Sequence, residues 1–381
     1  MIYDPLIFNE CCEFADNIGD VTNKMGESME LTDLLEEVLQ REASDLHLTV
    51  GTPPVIRIHG DLIRLDYPKL TPKDTKEMVY SILTSEQREK LEKNLELDFS
   101  YSLPGKARFR VNIYYQRNTL AAAFRFIPVE IKTLEELGLP KVLETLARRP
   151  RGFVLVTGPT GSGKTTTLAA LINIINETRN VHIMTIEDPI EYLHHHKRSI
   201  VNQREVGSDT KSFANALKYV LRQDPDVILI GEMRDVETIA IALTAAETGH
   251  LVFATLHTPD APQSIDRIID VFPPHQQQQV RIQLAGTLQG IVAQQLLQTR
   301  DGRGRVVAVE VLFATPAVRN LIREAKAHQI YNVMQTGQKY GMQTMDQALA
   351  DLYRRGKISY EMAVARAIDS HDIRQLLGRA G

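Results

Sequence analysis

Gly158-Pro159-Thr160-Gly161-Ser162-Gly163-Lys164-Thr165 has the spacing G-x-x-x-x-G-K-[ST], which suits the binding of a polyphosphate. Glycines let successive backbone N–H groups turn inward around phosphate oxygens, and a helix that starts at the loop adds the positive end of its dipole. Lys164 is expected to reach the β- and γ-phosphates, and the Thr165 hydroxyl to hold Mg²⁺. The apolar run Phe153-Val154-Leu155-Val156 predicts a buried strand before the loop, and residues 165–175 predict a helix after it. The motif therefore sits in the strand–loop–helix setting that its chemistry needs.

Three further stretches carry reactive side chains. A strand over 181–186 ends in Glu187-Asp188-Pro189-Ile190-Glu191. Acids at the carboxyl end of a strand lie where α/β sheets bind ligands, although they also serve as caps for the next segment. A fully apolar strand, Val227-Ile228-Leu229-Ile230, runs into Gly231-Glu232. Glu232 there either orients and deprotonates a water or pairs with Arg234, and Gly231 stands where many phosphate-loop proteins carry a Mg²⁺-holding Asp. Residues 249–258 form a third such strand with His257 at its far end, placed to sense a γ-phosphate or to serve structurally. Residues 202–207, Asn-Gln-Arg-Glu-Val-Gly, are too polar to read as core. His194-His195-His196 read as a solvated turn, since three adjacent histidines do not share one face with ligand geometry.

The elements that position these groups follow from periodicity. Leu31, Leu34, Leu35, Val38 and Leu39 have helical spacing, with Thr32 as the expected N-cap. Leu46, Leu48 and Val50 alternate as a strand, and His59-Gly60-Asp61 between two apolar runs signals a hairpin. Thr71-Pro72 opens a helix. Farther on, residues 109–115 and 120–126 alternate around a turn at Arg117-Asn118. A symmetric turn sets Phe109 opposite Phe126 and Val111 opposite Phe124, giving one wholly apolar face. The same register sets Arg110 opposite Arg125, where like charges repel. The pair is either two splayed surface cations or a site awaiting an anion.

Residues 128–140 are expected to link a first domain, 29–127, to a second, 141–381, in which apolar strands and amphipathic helices alternate as in an α/β domain with a mainly parallel sheet. Residues 1–28 show no sustained period and are expected to be a poorly ordered acidic extension. Seven acids and one lysine fall within residues 1–30 of a chain whose net charge is −4, which leaves +2 on the rest. That balance argues against non-specific nucleic-acid binding. The two cysteines are the neighbours Cys11 and Cys12, which build neither a disulfide framework nor a zinc site and suit a reducing compartment. No uncharged apolar run approaches the roughly 20 residues needed to span a bilayer.

In this order, the loop at 158–165, the acids around 185–191 with residues 203–207, the segment 231–235 and the segment 249–258 resemble the type II/type IV secretion ATPase superfamily, in particular the pilus-retraction motors. The resemblance covers residues 30–375. It implies a RecA-like ATPase domain and a smaller N-terminal α+β, PAS-like domain. It implies ATP bound by residues 158–166, Thr166 included, with Mg²⁺ on Thr165 and, through water, on Glu187 and Glu232. Glu232 corresponds to the family's catalytic glutamate, Glu187 to a second acid, Lys164 and His257 to phosphate-facing groups, and Arg110 and Arg125 to paired arginines of the N-terminal domain. A homohexamer at the cytoplasmic face of the inner membrane, working on a membrane platform protein and without nucleic acid, is expected. Arg319-Asn320-Leu321-Ile322-Arg323 resemble the retraction motors' C-terminal signature and are expected to couple hydrolysis to retraction. A pilus-assembly or secretion ATPase, or a non-hydrolysing accessory subunit, are the alternatives.

Overall fold

A computed structural model of the chain describes residues 29–58, 60–103, 106–127 and 130–378. The acidic extension with Cys11 and Cys12, His59 of the expected hairpin and Pro128 of the expected linker lie outside them. The chain divides into two compact units, Met1–Phe126 and Ile127–Gly381.

In the first unit the order is α1 (Leu31–Gln40), β1 (Asp45–Leu48), β2 (Val55–Ile58), β3 (Asp61–Arg64), α2 (Pro72–Ser81), α3 (Ser85–Asn94), β4 (Glu96–Leu103), β5 (Ala107–Gln116) and β6 (Thr119–Ile127). The strands form one sheet in the order β3-β2-β1-β6-β5-β4. Helix α1 buries Leu31, Leu34, Leu35 and Val38, within the same core as Phe109, Val111 and Phe124 of the sheet. Its N-cap is Glu30, without a side-chain cap, rather than Thr32, which lies inside the helix. Helix α2 starts where Thr71-Pro72 predicts, with a capping box between Thr71 and Asp74. Helix α3 was not legible from periodicity because Leu91 is its single buried residue.

Arg117 and Asn118, with φ of 48° and 60°, make a two-residue turn between β5 and β6. The rings of Phe109 and Phe126 then meet at 6.0 Å, as the symmetric register requires.

The second unit runs α4 (Glu144–Ala147), β7 (Gly152–Thr157), α5 (Lys164–Thr178), β8 (His182–Glu187), β9 (Ile200–Glu205), α6 (Phe213–Val220), β10 (Val227–Ile230), α7 (Val236–Glu247), β11 (Leu251–Leu256), α8 (Ala261–Asp270), α9 (Pro274–Thr287), β12 (Leu288–Gln298), β13 (Arg305–Phe313), α10 (Pro316–Arg323), α11 (Ile330–Gln335), α12 (Met345–Arg354), α13 (Tyr360–Arg366) and α14 (Ser370–Leu376). Its sheet has the order β13-β12-β7-β11-β10-β8-β9. All neighbours pair in parallel except the antiparallel β12–β13 hairpin. Residues 202–205 of the polar stretch thus lie on an edge strand, β9: Val201 and Glu205 turn inward while Ile200 and Asn202 face out.

Glu310 of β13 is fully buried and accepts the first backbone N–H of two helices, Ala261 of α8 at 2.7 Å and Met345 of α12 at 3.3 Å. Burial pushes its carboxyl up to about 8. Between the ordinary carboxyl value and about 8 the folded chain holds a proton that the unfolded chain has lost, so this group makes stability fall as pH rises. Glu310→Gln removes the titration and keeps an acceptor oxygen for one of the two helices, since Ala261 and Met345 bond to different carboxyl oxygens. Thermal melts at pH 5 and pH 8 should show a smaller loss of Tm for Glu310→Gln than for the unaltered chain; equal losses would contradict the assignment.

Candidate functional site

Parallel pairing puts the carboxyl ends of β7, β8, β10 and β11 along one edge of the sheet, and the loops that leave them carry the candidate groups. The loop after β7 folds tightly. Gly158 has φ of 137°, and a Cβ there would lie 2.3 Å from the Gln294 carbonyl oxygen of β12 and 2.7 Å from Ser162 Oγ, so only glycine fits. Lys164, the first residue of α5, is buried and donates to the carbonyls of Gly158 at 2.8 Å and Pro159 at 3.0 Å. Burial lowers its pKa, and the charges of Glu232 and Glu191 oppose that shift. Two carboxylates therefore act on the lysine of the phosphate loop.

Glu232 follows β10 and sits between an arginine and a histidine. Arg234 reaches it at 2.7 Å and His257 Nε2 at 3.1 Å. The Arg234 hydrogen bond is the main reason its carboxyl is held below the usual range, against a contribution from burial. Gly231 packs closely against β8: a Cβ there would meet the Glu187 Cα and the Ile186 carbonyl, each at a tight 3.2 Å. Its own carbonyl accepts from Thr255 of β11 at 2.5 Å. His257 spans to the phosphate loop, with Nδ1 3.5 Å from the Thr160 hydroxyl. If Nε2 donates to Glu232, Nδ1 is left to accept from Thr160.

Glu187 ends β8 and is buried, accepting from Thr185 at 2.6 Å and Gln203 at 3.2 Å. Burial pushes its carboxyl up to about 7. With Thr165, Tyr192, His194, Gly231 and Thr255 it lines a cavity of about 20 Å³, room for one water. His194 is thus not part of a solvated turn. Its Nδ1 is buried without a hydrogen-bond partner among the described residues, and burial pushes its pKa down to about 4. His195 and His196 are exposed as expected. Glu191, in the same acidic run as Glu187, is half-buried and is the acid of that pair whose charge acts on Lys164. Thr166 meets the Tyr192 hydroxyl at 3.0 Å.

The remaining candidates are elsewhere. Arg110 and Arg125 belong to the first unit, both exposed. Arg125 is ion-paired with Asp45 at 2.9 Å, its direct neighbour across the β1–β6 ladder. Burial would raise the Asp45 carboxyl, but the hydrogen bonds from Arg125 and Ser44 hold it below the ordinary value. In α10, Thr315 caps and Pro316 starts the helix as expected, while Val318 and Ile322 are buried and Leu321 is half-buried. Ala325 has left the helix, with φ of 58°. Arg319 and Arg323 do not make one basic face. Arg319 donates to the carbonyls of Ala314 at 3.0 Å, Gly286 at 2.9 Å and Ala285, the last two in the final turn of α9. Arg323 and Asn320 are exposed, and Asn320 donates to Glu324 at 2.8 Å.

The family model for "type II/IV secretion system protein" matches residues 25–361. The chain belongs to that family. It is 55% identical over 335 residues to a twitching motility protein of Neisseria gonorrhoeae, covering 88% of this chain and 89% of the relative. It is 51% identical over 339 residues to the type IV pilus retraction ATPase PilT of Pseudomonas aeruginosa, covering 89% and 98%. The crystal structure of the pilus retraction motor PilT with bound ADP aligns with a TM-score of 0.86 at 52% identity, over 91% of this chain and 99% of that one. The family's α/β architecture with a separate N-terminal sheet is the one expected from the sequence.

Arg319 compensates carbonyls at the C-terminus of α9, where a cation is favourable. Arg319→Ala should lower unfolding free energy by about 1–3 kcal/mol, since the arginine's charged hydrogen bonds are lost. Arg323→Ala should stay within about 0.5 kcal/mol of the unaltered chain. Urea titrations of both variants check this, and equal effects would refute the distinction.

Proposed function

We propose that this chain is a Mg²⁺-dependent ATPase that powers type IV pilus retraction. The observation that carries the reading is the convergence of Lys164, Glu232, His257 and Glu191 at one sheet edge, in a chain 51% identical to a named retraction ATPase over 89% of its length. The phosphate loop binds the phosphates of ATP. Beside Ser162, Gly163 and Thr166 opens a cavity of about 340 Å³ walled by Leu139, Leu296 and Val307, which suits the nucleoside.

The Mg²⁺ fit rests on the donor set. Thr165, Glu191 and Glu232 offer hard oxygens, and among the described residues no group of three or more His, Cys, Asp or Glu could hold a metal alone. Phosphate and water must complete such a shell, which is how Mg²⁺ is held in nucleotide sites. When bound, the ion neutralises charge on the phosphate oxygens. Glu232, kept ionised by Arg234, accepts the proton of the attacking water. His257, bridging Thr160 and Glu232, couples the loop that holds phosphate to that base. On binding, Lys164 exchanges its two carbonyl partners for phosphate oxygens. Arg110 and Arg125 keep the charge-stabilising role that the resemblance gives them. The working form is a homohexameric ring at the cytoplasmic face of the inner membrane, acting on the pilus platform protein, and the 319–323 segment supports coupling through Arg323 and Asn320, its exposed residues.

Glu232→Ala should abolish turnover while ATP still binds, because Lys164 and the loop supply the phosphate contacts. Cells carrying it should stay piliated and lose surface motility. Loss of nucleotide affinity in step with turnover, or normal motility, would reject the assignment. Arg110→Ala should lower kcat by about 10³-fold if the residue acts as an arginine finger, with ADP affinity little changed. A near-normal kcat would leave Arg110 a surface charge.

A further inference from the structure

Residues 188–194, between β8 and β9, form neither helix nor strand, yet their backbone is held in place. The Glu205 carboxylate accepts the Ile190 N–H at 3.0 Å. The Gln203 amide donates to the Tyr192 carbonyl at 2.8 Å and accepts the His194 N–H at 2.8 Å. Residues 190, 192 and 194 alternate along the segment, and Gln203 and Glu205 alternate along one face of β9. Two side chains thus do the work of a missing backbone ladder. The contacts are not incidental surface pairs: Glu205 is buried, and Gln203 donates as well to the buried Glu187. Glu205 also accepts from Ser208 Oγ at 3.3 Å, which fixes its second oxygen. Between the tethered Ile190 and Tyr192 sits Glu191, whose charge acts on Lys164.

We propose that Gln203 and Glu205 are positioning residues for Glu191: by hydrogen-bonding the backbone on either side of it, they fix its carboxylate toward the phosphate loop. The inference rests on the ATPase reading. Its physical requirement is hydrogen-bond acceptance by residue 205 from the Ile190 N–H. An untethered 188–194 segment would let the Glu191 carboxylate swing, and misplacement of a catalytic group by about 1 Å costs on the order of 10²-fold in rate.

The test uses the full chain in four forms: unaltered, Glu205→Ala, Glu205→Gln and Glu205→Ala combined with Glu191→Ala, with Glu191→Ala as reference. Three quantities are measured: kcat for ATP, affinity for a fluorescent ADP without Mg²⁺, and hydrogen–deuterium exchange of peptides spanning 188–196 without nucleotide. Glu205→Ala should lose about 10²-fold in kcat, bind ADP within about 3-fold, or ~0.6 kcal/mol, of the unaltered chain, and exchange faster at 188–196. Glu205→Gln, whose amide oxygen still accepts from Ile190, should restore kcat and slow exchange. The double variant should be no slower than Glu191→Ala. A Glu205→Gln chain as impaired as Glu205→Ala, unchanged exchange in Glu205→Ala, or additive losses in the double variant would each overturn the proposal. Should Glu205→Ala fail to fold, Gln203→Ala carries the same comparison. If the unaltered chain does not hydrolyse ATP, the functional reading fails by itself, while the exchange data still decide whether the tether exists.

Discussion

Parallel pairing of β7, β8, β10 and β11 brings four carboxyl ends to one edge, and the candidate site is built from what projects there. Neighbouring strands lie about 4.8 Å apart, so groups leaving adjacent strands meet without long connections. That closeness has a steric consequence. Gly158 passes against the Gln294 carbonyl at a distance that leaves no room for a side chain, and Gly231 runs close against the end of β8. Gly158 is therefore a condition for the sheet edge to close up.

The polar groups at this edge are partly or wholly withdrawn from water and depend on one another. Lys164 is satisfied by two carbonyls of its own loop, Glu187 by Thr185 and Gln203, and Glu232 by Arg234 and His257. A buried polar group without such partners would cost a few kcal/mol. The chain of contacts from Thr160 through His257 to Glu232, and from Thr255 to the Gly231 carbonyl, joins loops from three strands. These contacts link the phosphate loop to Glu232 without passing through the core.

Cations elsewhere show how neighbours redefine a charge. From the hairpin register alone, Arg110 and Arg125 are two repelling residues. Asp45, brought beside Arg125 by the β1–β6 ladder, supplies the counter-charge. Likewise Arg319 and Arg323 share a spacing of four, yet the former is spent on the carbonyl end of α9 and the latter faces solvent. Helical spacing says which residues share a face; it does not say what another helix places against that face.

From sequence alone came the phosphate loop in its strand–loop–helix setting, the apolar strands at β7, β8, β10 and β11, the β5–β6 register and the starts of α2 and α10. Each depends on local rules: glycine geometry, strand and helix periods, and capping chemistry. The edge strand β9, the antiparallel β12–β13 hairpin and helix α3 escaped, because an edge strand can be polar and a helix anchored by one leucine has no period. Tertiary structure alone decided that Glu191 shares the field of Lys164, that His194 is half-buried and lines a small cavity with Glu187 rather than lying in solvent, and that Arg125 and Arg319 have internal partners. Those properties depend on which distant segments the sheet order makes adjacent, and residue spacing along one segment carries no record of its neighbours.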